Sequence, residues 1–360
     1  MKVLVRAKVG EISKKEKWFS KPICQELTKR GVEFGFQIKN SVEGLTKLDY
    51  PFGVHLPGSF ADRWQQEGEI IRGDLLRLLE SISVMQPQPL YVVLHGLRVN
   101  MDKPSLGEAS SYISEVSAFD YLSAFGRIIK LVKELLSLGI PVALENVAFT
   151  NFYKDSQGVW QPKTHLDLRI PTLAEDMNII QEETKCQLVL DVEHLAFALN
   201  FANRMFNYEE LALYDPPLGV FPEDSEVWYK HHIFVSSGKV LVICPPAGYP
   251  RFWLFDEVKK VRASIFHLSG TQSASCWWQE IKEVEGKEAV GSHDIIREDD
   301  PALNWIIGFI LQKEDWIVVP EVSGPDVNPC HWERLINTEE QSLETLCCLI
   351  NKELAELPGK

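Results

Sequence analysis

Histidines and carboxylates stand at the ends of apolar runs in this chain, a placement that could do metal chemistry. The runs PFGVH (51–55), PLYVVLH (89–95), IPVALE (140–145), CQLVLD (186–191), ASIFH (263–267) and WIVVPE (316–321) end on His55, His95, Glu145, Asp191, His267 and Glu321. With 51 acidic residues and nine histidines in 360, about one or two of eight such runs would end this way by chance. His194 follows Asp191 by three residues in LDVEH, and His293 lies in GSHDII. A single His or Glu at such a place is more often a hydrogen-bonded structural residue, so the weight lies in the set. Mixed imidazole and carboxylate donors suit zinc, manganese, iron or cobalt better than calcium or magnesium. Eight donors exceed one tetrahedral ion and fit two or three divalent ions with a bridging carboxylate. Buried carboxylates are costly without partners, so a pocket that gathers them needs a cation or a substrate to offset them.

Such side chains can meet only if their elements converge. VLVRA (3–7) and VEFGFQI (32–38) bring the apolar runs to eight. Their continuous rather than alternating apolar character suits strands buried on both faces of a parallel sheet. Helical patterns separate most of them, over 18–30, 69–83, 118–138, 172–184, 301–313 and 341–357. Thr172 after Pro171 is a candidate cap for the fourth. Asp299 or Asp300 could cap the fifth, with Pro301 in its first turn. The stretch 39–50 is too short for a full helix. Eight β-then-α units predict an α/β chain of the (β/α)₈ TIM-barrel class, one domain over 1–360, with the strand C-termini gathered at one mouth. A minimal barrel takes about 250 residues. Much of the remainder falls at 147–171 and 195–262, both leaving strand C-termini, and the second holds a strand-like run KVLVICPP (239–246). These insertions at the C-terminal face are candidate walls or lids of the site.

Composition narrows the partners. A formal net charge of −14 disfavours loose binding to nucleic acid, which depends on basic surface, and leans away from DNA towards a small substrate. Seven cysteines without a CxxC pair read as reduced thiols. The early charges of MKVLVRAKVGEISKKEK do not fit a signal peptide, and no apolar run nears the ~20 residues of a membrane helix. A cytoplasmic location is the expectation. GxGxxG, GxxxxGK[ST] and GxSxG elements are absent, so nucleotide and serine-hydrolase readings lack support.

The segments VHLPGSF, VVLHGL, ALENVAF, LDVEHLAFA, FHLSG, GSHDI and VVPEVSG resemble the xylose isomerase-like TIM-barrel superfamily over about residues 50–325. That group includes endonuclease IV and the sugar isomerases and epimerases. The endonuclease IV ligand order falls on His55, His95, Glu145, Asp191 with His194, His267, His293 and Glu321. Its Asp-x-His pair departs, because Gly291 stands where the Asp would be. The resemblance therefore implies two divalent ions (zinc, manganese or iron) rather than three. The sugar isomerase set would be Glu145, Asp191, His267 and Glu321, with His194 against the substrate. The arginine that follows the His in that set is missing from HLSGTQSASC. Multinuclear non-haem iron enzymes that oxidise peptide cysteines have motifs similar to LENV, LDVEH, HLSG and SHD.

The resemblance implies a metal-dependent enzyme acting on a phosphodiester, a sugar or a sugar phosphate. Glu145, Glu321 and His194 would carry the chemistry. As a hydrolase it would activate water between two ions. As an isomerase it would use Glu145 and Glu321 as an acid/base pair. Iron-dependent oxidation is one alternative, and a non-catalytic barrel with a remnant site is another. Arg98, Asp294, Arg297, Trp277 and Trp278 are candidate substrate contacts. Surface pairing for Arg98 and apolar cover for the tryptophans are about as plausible. His165, His231, His232 and His331 are not expected to be ligands.

Overall fold

The computed structural model describes residues 1–45, 47–65, 69–98, 118–147, 150–154, 160–167, 169–196, 227–228, 233–236, 239–243, 254–270, 295–313, 315–322 and 332–356. Eight parallel strands close into a barrel. They are β1 (Lys2–Ala7), β2 (Glu33–Lys39), β3 (Phe52–His55), β4 (Val92–His95), β5 (Val142–Glu145), β6 (Gln187–Asp191), β7 (Ile265–Leu268) and β8 (Ile317–Pro320). Each pairs with its neighbours in sequence, and β8 closes on β1 through Lys2↔Ile317 and Val3↔Val318. All eight coincide with apolar runs of the sequence. The helices around them are α1 (Pro22–Lys29), α2 (Phe60–Gln65), α3 (Glu69–Ser83), α4 (Ala118–Ser137), α5 (Ala174–Thr184), α6 (Leu254–Lys260), α7 (Pro301–Leu311) and α8 (Trp332–Glu356). The last begins earlier than the expected 341. Among the described residues of 39–50 no helix forms, as the shortness of that segment requires.

Successive side chains of a strand point to opposite faces, and here both faces are apolar for different reasons. The outward set, including Val3, Val5, Phe36, Ile38, Val54, Val92, Leu94, Leu144, Leu188, Leu190, Phe266 and Val318, packs in the large core with the helices. The inward set forms a second, separate cluster of Leu4, Tyr91, Val93, Ala143, Val189, Ile265 and Val319, with Ile317 against it. This plug fills the barrel axis. Two residues further along each strand, the next inward positions are Arg6, His95, Glu145, Asp191, His267 and Glu321. The same alternation aims Gln37 and Lys39 of β2 and His55 of β3 at the mouth.

Gly53, inward on β3, makes room for the plug. A Cβ there would lie 2.4–2.9 Å from the Tyr91 ring. The wide Tyr91 ring crosses the barrel only because β3 offers no side chain at that level.

Two helix starts were anticipated, and one is corrected. Asp300 caps α7, accepting from the backbone N–H of Ala302 and Leu303, with Pro301 in the first turn. Thr172 does not cap α5. The cap residue is Leu173, without a side-chain bond, and Thr172 Oγ1 lies 2.9 Å from the Arg169 carbonyl and 3.2 Å from that of Val147. Its hydroxyl ties the return of the first insertion to the end of β5 instead.

The insertion after β5 contains an antiparallel hairpin, Thr150–Lys154 with Trp160–Asp167, and then Arg169–Ile170 pairs with Leu97–Arg98. In the second insertion Val227–Trp228, Ile233–Ser236 and Lys239–Ile243 form a three-stranded antiparallel sheet, so the strand-like run at 239–246 is a strand over its first five residues. Cys24, Cys186, Cys347 and Cys348 are free thiols. Among the described residues no helix is long and apolar enough to cross a membrane.

Replacing Gly53 by Ala forces the Tyr91 ring aside in a filled interior. Overpacking of this kind costs about 1–3 kcal/mol, read as a lower urea midpoint with an unchanged slope. A midpoint equal to that of the unsubstituted chain contradicts the packing described.

Candidate metal centre

Glu145, with no exposed surface, is the hub of the mouth. Its Oε2 lies 3.3 Å from His55 Nε2 and 2.9 Å from His95 Nε2. None of these three buried atoms has a hydrogen bond. Its Oε1 lies 3.1 Å from His267 Nδ1 and 3.9 Å from His194 Nδ1. Glu321 Oε2 lies 2.8 Å from the same His267 nitrogen. Imidazole and carboxylate atoms thus converge at short range, around Oε2 without hydrogen-bond alignment, the arrangement expected of ligands aimed at an ion. Among the described residues two groups meet the spacing of a metal site: His55, Glu145, His267 and Glu321, and Glu145, Asp191 and His194. Glu145 belongs to both.

Second contacts decide which ring nitrogen of each histidine carries the hydrogen, because a carbonyl oxygen only accepts. His55 Nδ1 lies 2.8 Å from the Leu56 carbonyl and donates to it, which leaves Nε2 as the lone-pair nitrogen beside Glu145. His194 Nδ1 donates to the Asn146 carbonyl at 3.0 Å, leaving Nε2 unprotonated. His267 is reversed. Its Nε2 donates to Gln37 Oε1 at 3.0 Å, an oxygen that also accepts from Tyr91 Oη at 2.8 Å, so Nδ1 faces the carboxylates. Gln37 and Tyr91 are fully buried. The pair rises from the apolar plug to hold one histidine at the mouth.

The Asp-x-x-His spacing has a local cause. Asp191 ends β6, and residues 192–196 are helical. Asp191 Oδ1 accepts from the backbone N–H of His194 at 2.8 Å, as an N-cap does, and Oδ2 lies 3.7 Å from His194 Nδ1. Asn146 brackets Asp191 from the end of β5, donating to its carbonyl at 2.9 Å and accepting from its N–H at 2.7 Å. One cap and one amide bracket therefore set both residues.

Electrostatics fit the same picture. Burial would raise the Glu145 carboxyl, but the charges of His95 and His267 outweigh it and hold the group well below the usual carboxylate range. Burial pushes His55 down to about 3, so its ring is neutral and ready to ligate. Burial, with the Glu145 charge, holds the Tyr91 hydroxyl well above its ordinary value, so it remains a donor.

Seven of the eight expected ligands are brought together: His55, His95, Glu145, Asp191, His194, His267 and Glu321. His293 lies outside the described residues, as do Gly291, Asp294, Trp277 and Trp278. Arg98 is committed to Asp62. Its Nε lies 3.7 Å from Asp62 Oδ2 and its backbone N–H donates to Oδ1 at 2.9 Å, which is the surface-pairing alternative. Arg297 is exposed in the turn before α7, where its carbonyl accepts from Asp300. Among the described residues nothing joins its side chain to the cluster.

The sequence reading missed Arg6, Gln37, Lys39 and Asn146. Arg6 forms a close ion pair with Glu321 Oε1 at the β8–β1 closure. The signal was present in the period of two. Arg6 is the next inward position after Leu4, and Gln37 and Lys39 follow Gly35, but none of the three is an Asp, Glu or His closing an apolar run.

The fold and site define a closed (β/α)₈ barrel with a candidate metal centre at the C-terminal mouth. No family model matches the sequence, and no curated protein does. Solved structures give distant likenesses. A xylose isomerase domain protein from Alicyclobacillus acidocaldarius is 12% identical at a TM-score of 0.40, covering 97% of this chain and 90% of its own. A D-tagatose 3-epimerase-like protein is 13% identical at 0.41, covering 98% and 99%. The 3-keto-D-glucoside 4-epimerase of E. coli is 12% identical at 0.39, covering 95% and 97%. The barrel itself rests on its own strand pairing.

Replacing Gln37 by Met removes the acceptor that holds His267 Nε2–H while keeping side-chain bulk. Outer contacts of this kind are worth about 10–100-fold in metal affinity. Zinc or manganese binding is expected to weaken within that range, and the chelator-treated protein should also melt lower, because the buried Tyr91 hydroxyl loses its acceptor. Unaltered affinity would show that His267 does not depend on Gln37.

Proposed function

We propose that this chain is a divalent-metal-dependent enzyme acting on a sugar or phosphate ester, with two ions sharing Glu145. The observation that carries the reading is the membership of Glu145 in both ligand groups. A mononuclear set of Glu145, Asp191, His267 and Glu321 would give His55 and His95 no task, yet both stand on Glu145 Oε2. Divalent ions in such a site supply Lewis acidity to substrate oxygens and to water. Zinc, manganese and iron all suit the donor set.

The chain's own residues do the rest. Glu145 is buried and enclosed by imidazoles, so it serves the ions rather than the substrate. His95 and His194 are the more open members, with side-chain exposures of 19% and 21%, and they border the space where substrate enters. The hydrogen bond from His194 Nδ1 to Asn146 leaves Nε2 to bind or to take a proton. Arg6 occupies Glu321 Oε1 in an ion pair, so that oxygen is already engaged. This favours activation of water, with hydrolysis of an ester, over proton shuttling by Glu321.

A second reading is isomerisation or epimerisation of a sugar. The meeting of Glu145 and Glu321 at His267 Nδ1 favours it, as two carboxylates flanking a ligand. Iron-dependent oxidation and a non-catalytic barrel with a remnant site are separated from both by the metal retained and by turnover.

The two-group arrangement predicts a graded loss of metal. Asp191→Asn should lower the bound metal from about two ions per chain to about one, because the His55, His267 and Glu321 group keeps its donors. Chelation should abolish turnover of a sugar phosphate, whether measured as phosphate release or as sugar interconversion. Full metal content in the Asp191 variant would remove Asp191 from the site, and turnover that survives complete chelation would overturn the metal-dependent reading.

A further inference from the structure

On six strands of the barrel, β3 to β8, the last inward position leading into the mouth is a candidate ligand. On the other two, β1 and β2, the last inward position is a cation. Arg6 is inward on β1 and pairs with Gln37 in strand register, and Lys39 is inward on β2 and pairs with His55. The mouth is therefore polar across its width, with carboxylates and imidazoles along one arc and two basic side chains along the other.

The two cations differ in how they are neutralised. Arg6 is engaged with Glu321. Lys39 is half-buried, and its side chain has no ion pair or hydrogen bond among the described residues. The acids near it serve another lysine, since Lys15 Nζ lies 2.6 Å from Glu339 and 3.5 Å from Glu11. The charge of Arg6, then burial and the charge of Lys8, push Lys39 down to about 8. An unpaired ammonium beside a guanidinium, in a chain of net charge −14, is stabilised when an anion lies between them and the ions.

We propose that Lys39, with Arg6 behind it, seats an anionic group of the substrate, a phosphate or a carboxylate, at the β1–β2 side of the mouth. The inference rests on the metal-centre reading above and narrows its substrate to a sugar phosphate or a sugar acid rather than a neutral sugar. The anion sits against Lys39 while neighbouring hydroxyl or carbonyl oxygens of the same molecule face the ligand arc. Lys39 acts by binding, and no covalent step passes through it.

The test uses the manganese-loaded full chain and its Lys39→Met and Lys39→Arg variants, titrated calorimetrically with inorganic phosphate, fructose 6-phosphate, gluconate and fructose. A charge-assisted hydrogen bond lost from such a site weakens binding by roughly tenfold or more. Phosphate should bind at least that much more weakly to Lys39→Met, with manganese content unchanged, and Lys39→Arg should restore most of the loss. The unsubstituted chain should prefer an anionic sugar to fructose, and the preferred anion tells phosphate from carboxylate. Equal phosphate affinity in Lys39→Met, or fructose binding as tightly as both anions, overturns the proposal. A chain that takes up no manganese fails the metal reading instead. The phosphate titrations on it still decide the role of Lys39.

Discussion

A carboxylate with no contact with water, held among four imidazoles, is the constraint on which the rest of this structure depends. Removing Glu145 from solvent costs several kcal/mol after relaxation unless positive charge or hydrogen bonds offset it. No hydrogen bond reaches its Oε2. The imidazoles offset part of the cost, and cations shared between the two ligand groups would offset the remainder. The barrel supplies what this needs, a ring of strands whose inward positions rise together and stop at one level.

That ring explains how much could be read from the residues. The eight strands were legible because strands buried on both faces lose the polar alternation that would otherwise disguise them, and all eight apolar runs became strands. The ligands at their ends were legible because a charged residue is conspicuous after four or five apolar ones. Arg6 was not, since Ala7 follows it and the run does not end on it. Gln37 is neutral and sits inside an apolar run, so only the inward register of Gly35, Gln37 and Lys39 distinguishes it from its outward neighbours. Asn146 was hidden by its own ligand neighbour, Glu145. Its role depends on β5 and β6 being adjacent, which no local pattern states. Thr172 was misread because its hydroxyl binds carbonyls across the first insertion, a tertiary demand that overrides its preference for a helix cap.

The site is also ordered in depth. Below it, the apolar plug ends in Tyr91, whose hydroxyl supports Gln37 and through it His267. At its own level, carbonyls of Leu56 and Asn146 orient His55 and His194. A histidine turned by its second nitrogen presents the first in a fixed direction, which makes a ligand set less adaptable and more selective. Elements that look like plain core, such as the glycine at 53, are therefore tied to the chemistry through one buried ring.

The central claim is that Glu145 is shared by two ions. The most direct measurement is elemental analysis of the chain purified without chelators, alongside Glu145→Gln, after checking that both retain the same circular dichroism. The account predicts about two divalent ions per chain in the unsubstituted protein and loss of both, rather than one, in the variant. Retention of the full complement by Glu145→Gln, or no metal in the unsubstituted chain even after reconstitution, contradicts it.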